Sequence, residues 1–185
     1  MNFDFSTIDK TWTLFLDRDG VINVEIKGSY VLNVNEFVFS NGAQLAIQKL
    51  SKMFGLIVVA TNQRSIAKQL MTLDDLHSIH AYMLEELTKY SGRIDKVYFC
   101  ADMHSESANR KPNPGMAYQA KKDYPQIDFS KSIMVGNTLS DMQFARNAGM
   151  HAVFIPSTEP GTPFPHELID ARYDSLLDFA NAISH

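Results

Sequence analysis

The chain has 185 residues, 45% of them hydrophobic and 21% charged, and a net charge of −4. That is enough for one domain with a genuine core, and an acidic balance without a dense Lys/Arg block argues against a nucleic-acid binder, which must neutralise phosphates. No apolar run approaches the roughly 20 residues of a membrane span. The start, Met1-Asn2-Phe3-Asp4-Phe5, lacks the basic-then-apolar pattern of a secretory signal, and the single Cys100 can form no internal disulfide, so a cytoplasmic protein is expected.

Residues 1–10 read as a lead-in. The first strand is predicted at Thr13–Leu16, nearly continuous in apolar residues as a strand buried on both faces should be, and it ends in Asp17-Arg18-Asp19-Gly20. Acids at i and i+2 leave a strand on the same side. Two close carboxylates repel unless a cation or a shared proton compensates. Mg²⁺ suits, as a hard ion that takes carboxylate oxygen and keeps waters for a phosphate. The motif therefore points to magnesium-assisted phosphoryl transfer through an aspartyl-phosphate. Taken alone, it also reads as a polar turn.

Residues 21–40 are mixed in pattern and read either as a flap lying over the strand end or as an ordinary long connection. A helix follows Ser40-Asn41-Gly42, with Ala43, Ile47, Leu50 and Phe54 at helical spacing and Gly55 at its stop. The second strand, 56–60, ends in Thr61-Asn62-Gln63. Thr72 caps the longest helix, with Asp75 in the capping-box position. On that helix His77 and His80, three apart with no acidic partner, read as packing or surface residues rather than metal ligands. The third strand is expected at 97–100, followed by a polar loop ending in Arg110-Lys111-Pro112 and a helix from Pro114 to about Asp123. The fourth strand, 133–135, runs into Gly136-Asn137-Thr138 and a helix at Leu139–Ala148. A fifth strand at 152–155, an irregular stretch at 157–165 and a last helix carrying Leu176, Leu177, Ala180 and Ile183 complete the chain. Strand–helix alternation predicts one α/β domain over 1–185, a three-layer Rossmann-like parallel sheet with helices on both faces.

Four strand ends carry polar groups: Asp17/Asp19, Thr61/Asn62, Arg110/Lys111 and Asn137/Asp141. At matching ends of parallel strands they would converge on one crevice and supply the nucleophile, acid, positive charge and metal site of phosphoryl transfer. In order, these four motifs resemble those of the haloacid dehalogenase (HAD) superfamily of phosphatases, over about residues 11–156. Phe15 to Asn23, Tyr30-Val31, Arg110 to Met116 and Met134-Val135-Gly136 resemble, more narrowly, the branch that holds the heptose-bisphosphate and histidinol-phosphate phosphatases. The resemblance implies that Asp17 is the nucleophile and Asp19 the acid/base. It also implies that Thr61 and Lys111 hold phosphoryl oxygens and that Asn62 and Arg110 lie near substrate. Mg²⁺ would be held by Asp17, the carbonyl of Asp19, Asn137 and Asp141. The expected activity is a Mg²⁺-dependent phosphatase of a small phosphorylated sugar or polyol, with histidinol phosphate as the rival substrate. A catalytically weakened domain binding a phosphorylated ligand or a protein partner is the alternative of another class.

Three departures from the pattern stand out. Asn137 replaces the usual Asp, removing one negative charge from the metal site. The branch's structural zinc uses a Cys-x-His and a Cys-x-Cys pair, but Cys100, Asp102, Ser107 and Asn109 stand there, so zinc is not expected. Arg64 stands where the branch has Ser, and reads either as a grip on an anionic substrate or as a solvated charge.

Overall fold

The first strand, β1 (Thr13–Leu16), is buried at all four positions, and its side chains divide between two hydrophobic clusters. Leu14 and Leu16 face one and Phe15 faces the other. This computed structural model describes residues 4–184. Met1, Asn2 and Phe3, part of the N-terminal stretch read for a secretory signal, lie outside them.

In chain order the elements are β1, α1 (Ala43–Met53), β2 (Leu56–Asn62), α2 (Arg64–Ala67), α3 (Leu73–Lys89), β3 (Lys96–Cys100), α4 (Gly115–Asp123), β4 (Ser132–Gly136), α5 (Leu139–Ala148), β5 (His151–Phe154), β6 (Ala171–Arg172) and α6 (Leu176–Ile183). The strands form one sheet in the order β3-β2-β1-β4-β5-β6, and every pairing is parallel. This is the expected α/β architecture. Two short elements went unanticipated, β6 and α2. A two-residue strand and a single helical turn are too short to show a period.

The period of two along the strands sorts the core. Leu14, Leu16, Ile57, Val59, Ile133, Val135 and Val153 meet α1, α3 and α6. Phe15, Val58, Ala60, Met134, Ala152 and Phe154 meet α4 and α5. The last helix lies beside α1 and contributes Leu176, Phe179, Ala180 and Ile183 to the same cluster as the sheet. Its Ser175 caps it by accepting from the Asp178 N–H at 3.1 Å. The box expected at α3 is present, with Thr72 Oγ1 accepting from Asp75 N–H at 3.1 Å and Asp75 Oδ2 accepting from Thr72 N–H at 2.8 Å. Such a cap is worth about 1 kcal/mol. Among the described residues no helix is long and apolar enough to cross a membrane.

The 21–40 segment is narrow and pinned at its base. Val24 N–H donates to Val38 O at 2.8 Å and Ser40 N–H to Ile22 O at 2.9 Å, while Val21, Ile22, Val31 and Phe37 are buried in the core. Its outer part, with exposed Glu25, Lys27, Gly28 and Ser29, stands beside the carboxyl ends of the strands.

Candidate active site

The strand order reverses between β1 and β4, and ligands of open α/β sheets bind in the crevice at such a switch point. Asp17 leaves β1 there, its N–H donating to Val135 O on β4 at 2.9 Å. Asn137 and Asp141 follow β4, Thr61 and Asn62 end β2, and Arg110 and Lys111 arrive on the loop after β3.

Lys111 ties these ends together. Its ammonium is 2.8 Å from Asp17 Oδ1 and 2.7 Å from Asp141 Oδ1. Burial works against the charged amine, but Asp141 and Asp17 outweigh it and hold the Lys111 pKa above its ordinary value. Asn62 brackets the Lys111 peptide, donating from Nδ2 to its carbonyl at 3.2 Å and accepting its N–H on Oδ1 at 3.0 Å. Asn62 is thus the residue that sets the lysine's backbone.

Burial pushes Asp17 up to about 7 despite the opposing charge of Lys111. Its second oxygen has no hydrogen-bond partner among the described residues. Asp19 differs. Arg18 donates from Nη2 to both Asp19 oxygens at 2.9 Å, Asn23 Nδ2 to Oδ1 at 3.0 Å and Gln63 Nε2 to Oδ2 at 2.8 Å. Burial alone would raise the Asp19 pKa, but Arg18 and these donors hold it below the usual carboxylate range. Arg18 is itself fully buried and its Nη1 lies 3.3 Å from His80 Nε2. Burial, then the Arg18 charge, pushes His80 down to about 3, so the imidazole is neutral and accepts from the guanidinium. His77, by contrast, is exposed. Arg18, Asn23 and Gln63 were not among the expected site residues, and His80 was read only as a packing or surface residue. The available signal was the neighbourhood of the motif, since Arg18 lies between its two acids.

Of the expected site residues, Asp17, Asn62, Arg110, Lys111 and Asp141 line one cavity of about 260 Å³. Asp19 faces a neighbouring cavity of about 260 Å³ beneath the 21–40 segment, and Glu25 and Arg64 border both. Thr61 and Asn137 are buried and line neither. A larger depression of about 460 Å³ lies over residues 105–118 and holds none of these groups. Thr61 Oγ1 accepts from Gln63 Nε2 at 3.0 Å, which leaves its own proton for a ligand oxygen.

A divalent cation fits this crevice on two observations. Asn137 Oδ1 is buried without a hydrogen-bond partner among the described residues, and the free Asp17 oxygen belongs to a carboxyl group that burial, with the Asp141 and Asp19 charges beside it, keeps from ionising fully. Both are atoms of the kind that a hard cation satisfies. Asp141 was expected among the ligands, and the geometry gives it other work. Its Oδ1 pairs with Lys111, and its Oδ2 accepts from Asn137 N–H at 3.1 Å, Thr138 N–H at 3.0 Å and Thr138 Oγ1 at 2.8 Å. It caps α5 and anchors the lysine. Gly136 permits this approach, because a Cβ there would lie 2.2 Å from Asp141 Cβ.

At the positions where the resemblance places a zinc, Ser107 Oγ donates to Asp102 Oδ2 at 2.6 Å. Cys100 Sγ sits 4.0 Å from Asp102 Oδ2 and 3.8 Å from Ser107 Oγ. Asn109 turns away to accept from Gln119 at 3.0 Å. Arg64 is exposed and makes no ion pair among the described residues. Burial, then the Arg64 charge nearby, lowers the Arg110 pKa, and among the described residues Arg110 donates to the Asp102 carbonyl alone, at 3.2 Å.

Comparison with known proteins agrees with this geometry. A family model described as HAD-hydrolase-like matches residues 108–162. The chain is 37% identical over 175 residues, 94% of its own length and 92% of the relative's, to the D-glycero-alpha-D-manno-heptose-1,7-bisphosphate 7-phosphatase of Mycobacterium bovis. It is 35% identical over 179 residues, 92% of each chain, to the D-glycero-beta-D-manno-heptose-1,7-bisphosphate 7-phosphatase of Escherichia coli K12. The crystal structure of the D,D-heptose 1,7-bisphosphate phosphatase of B. bronchiseptica with magnesium and phosphate superposes with a TM-score of 0.84 at 27% identity, covering 93% of this chain and 97% of that one.

Proposed function

This chain belongs to the haloacid dehalogenase-like hydrolases and is a phosphoric monoester hydrolase, and we propose that it removes a phosphate from D-glycero-D-manno-heptose 1,7-bisphosphate through a phosphoryl group carried on Asp17. The observation that carries this reading is the lysine clamp. Lys111 holds Asp17 by one oxygen and leaves the other free in a crevice with two further cations, Arg64 and Arg110.

Asp17 attacks phosphorus in line with the leaving oxygen, forming the aspartyl-phosphate, an acyl phosphate, as the sugar oxygen–phosphorus bond breaks. Lys111 and the Thr61 hydroxyl take phosphoryl oxygens and offset the charge that accumulates on them. Asp19 gives the sugar oxygen a proton, then takes one from the water that attacks phosphorus and releases Asp17. The low pKa of Asp19 in the free protein suits it to the second of these roles. For the first, substrate must displace Gln63 or Arg18 from its carboxylate, so that Asp19 takes up a proton from solvent before it gives one to the sugar oxygen. Mg²⁺ would be held by Asp17, the Asp19 carbonyl and Asn137, where it supplies charge neutralisation to the phosphoryl group and keeps Asp17 ionised. Asp141 acts through Lys111.

Arg64 and Arg110 at the mouth favour a substrate with a second phosphate over histidinol phosphate, whose amine would meet two guanidinium groups. The test is phosphate release with Mg²⁺ from the heptose bisphosphate, histidinol phosphate and sugar monophosphates, alongside the Asp17→Asn variant. The bisphosphate should be turned over best and the variant should be inactive. Turnover that survives Asp17→Asn refutes the nucleophile, and preference for histidinol phosphate refutes the substrate.

A further inference from the structure

An asparagine is an ambiguous ligand. Its amide presents a carbonyl oxygen on one side and, on the other, an NH₂ group that a cation repels, and the two are nearly the same size. An aspartate in the same place has two equivalent oxygens and needs no guidance. Asn137 therefore requires something that fixes which way its amide faces.

The structure supplies a one-way chain of hydrogen bonds. Asn137 Nδ2 donates to Thr158 Oγ1, and Thr158 Oγ1 donates its proton to Glu25 Oε2. A hydroxyl has a single proton, and an ionised carboxylate only accepts. With its proton committed to Glu25, Thr158 can only accept from Asn137. The nitrogen must then face Thr158, and the oxygen is left on the other side, buried and without a hydrogen-bond partner among the described residues. Packing supports the same placement. Gly20, at φ +82, comes so close that a Cβ there would lie 1.9 Å from Asn137 Nδ2, and Ser157 Oγ donates to Gly20 O at 2.6 Å, tying the 157–158 segment to the turn after Asp17. The carboxylate at the outer end also polarises the chain, drawing proton density outward and leaving more negative charge on Oδ1.

We propose that Thr158, backed by Glu25, is a positioning residue that turns the Asn137 oxygen toward the magnesium site, and so makes an amide serve where a carboxylate would need no help. This rests on the magnesium reading above. It gives a role to the Pro/Thr-rich stretch after β5 and links the tip of the 21–40 segment to the metal cradle.

The test is calorimetric titration of Mg²⁺ alone into the protein, with Asp17→Ala reporting which binding belongs to the site. Thr158→Val, which keeps the shape and removes the hydroxyl, should weaken Mg²⁺ binding about tenfold, and Thr158→Ser should bind like the parent. In the Asn137→Asp background Thr158→Val should cost little, because no orientation remains to be fixed. Glu25→Ala, at an exposed position, repeats the test without disturbing the packing of Thr158, and should weaken binding in the same direction. Parent-like affinity in Thr158→Val, or an equal loss in the Asn137→Asp background, overturns the proposal and leaves the magnesium reading standing. Parent protein with no Mg²⁺ binding sensitive to Asp17→Ala overturns both.

Discussion

Asp141 and Lys111 form a buried ion pair with Nζ 2.7 Å from Oδ1 and both side chains only 2% exposed. Because Asp141 is fixed by three donors at the start of α5, it acts as the anchor and Lys111 as the group that is aimed. Breaking such a pair from one side leaves a buried charge uncompensated, at a cost of about 3 kcal/mol. Asp141→Asn, which can still accept at the helix start, should lower the unfolding free energy by about that amount. It should also reduce phosphate release by about 100-fold, in the range seen when a charged group facing the transition state is lost. Denaturant unfolding and a phosphate assay check the two parts. Unchanged turnover would mean that Asp17 alone orients the lysine.

A second expectation concerns acid. His80 is buried against Arg18 and held at about 3, against 6.5 for an exposed imidazole; burial is the main cause, Arg18 and His77 add to it, and Asp19 opposes it. Between those values the unfolded chain binds the proton and the native chain does not. Stability is therefore fully present above pH 6.5 and is lost as pH falls toward 3. The loss from this one group reaches about 2 kcal/mol by pH 5. His80→Gln offers Arg18 an acceptor that does not titrate, so its unfolding free energy should fall less between pH 7 and pH 5. An identical pH slope in the variant would show that His80 is protonated in the native state.

The asparagine at 137 carries a third. Asn137→Asp adds a negative charge to the proposed metal site, so half-maximal activity should need about tenfold less Mg²⁺, the scale of change that a ligand's charge or orientation produces. The same change should destabilise the protein when Mg²⁺ is chelated, since Asp17, Asp141 and the new carboxylate then share only Lys111. Melting temperatures with and without Mg²⁺ should diverge more for the variant than for the parent. An unchanged or raised Mg²⁺ requirement would remove Asn137 from the metal site.

The parallel sheet and five of its six strands were legible because buried parallel strands are written as short apolar runs, and four of the strand ends carry a polar signal. The convergence of Asp17, Asn62, Arg110, Lys111 and Asp141 on one cavity follows from that topology. What the chain order could not show is which polar group answers which. Asp141 reads as a spare ligand in sequence, and only the geometry at the start of α5 shows its oxygens engaged. Arg18 has no role of its own in the sequence pattern, yet it is buried, because the turn after β1 sends it under the crevice to His80 and Asp19. Thr158 lies in an irregular stretch with no period, 21 residues from the Asn137 it touches.

Arg64 offers the sharpest separation of substrate choice from chemistry. It borders both cavities at the site, belongs to a one-turn helix directly after β2, and stands near Arg110 with no ion pair among the described residues. Two guanidinium groups left unpaired at a mouth repel each other, and an incoming phosphate relieves that repulsion while gaining charge-assisted hydrogen bonds. Arg64→Ser should raise KM for the heptose bisphosphate about tenfold, the value of one such contact near a partly exposed surface. It should leave kcat nearly unchanged if, as proposed, Arg64 grips the distal phosphate and not the reacting one. A sugar monophosphate lacks the distal group, so its kcat/KM should move by less than about twofold. Equal losses on both substrates would place Arg64 at the reacting phosphate instead, and no loss on either would make it a solvated charge.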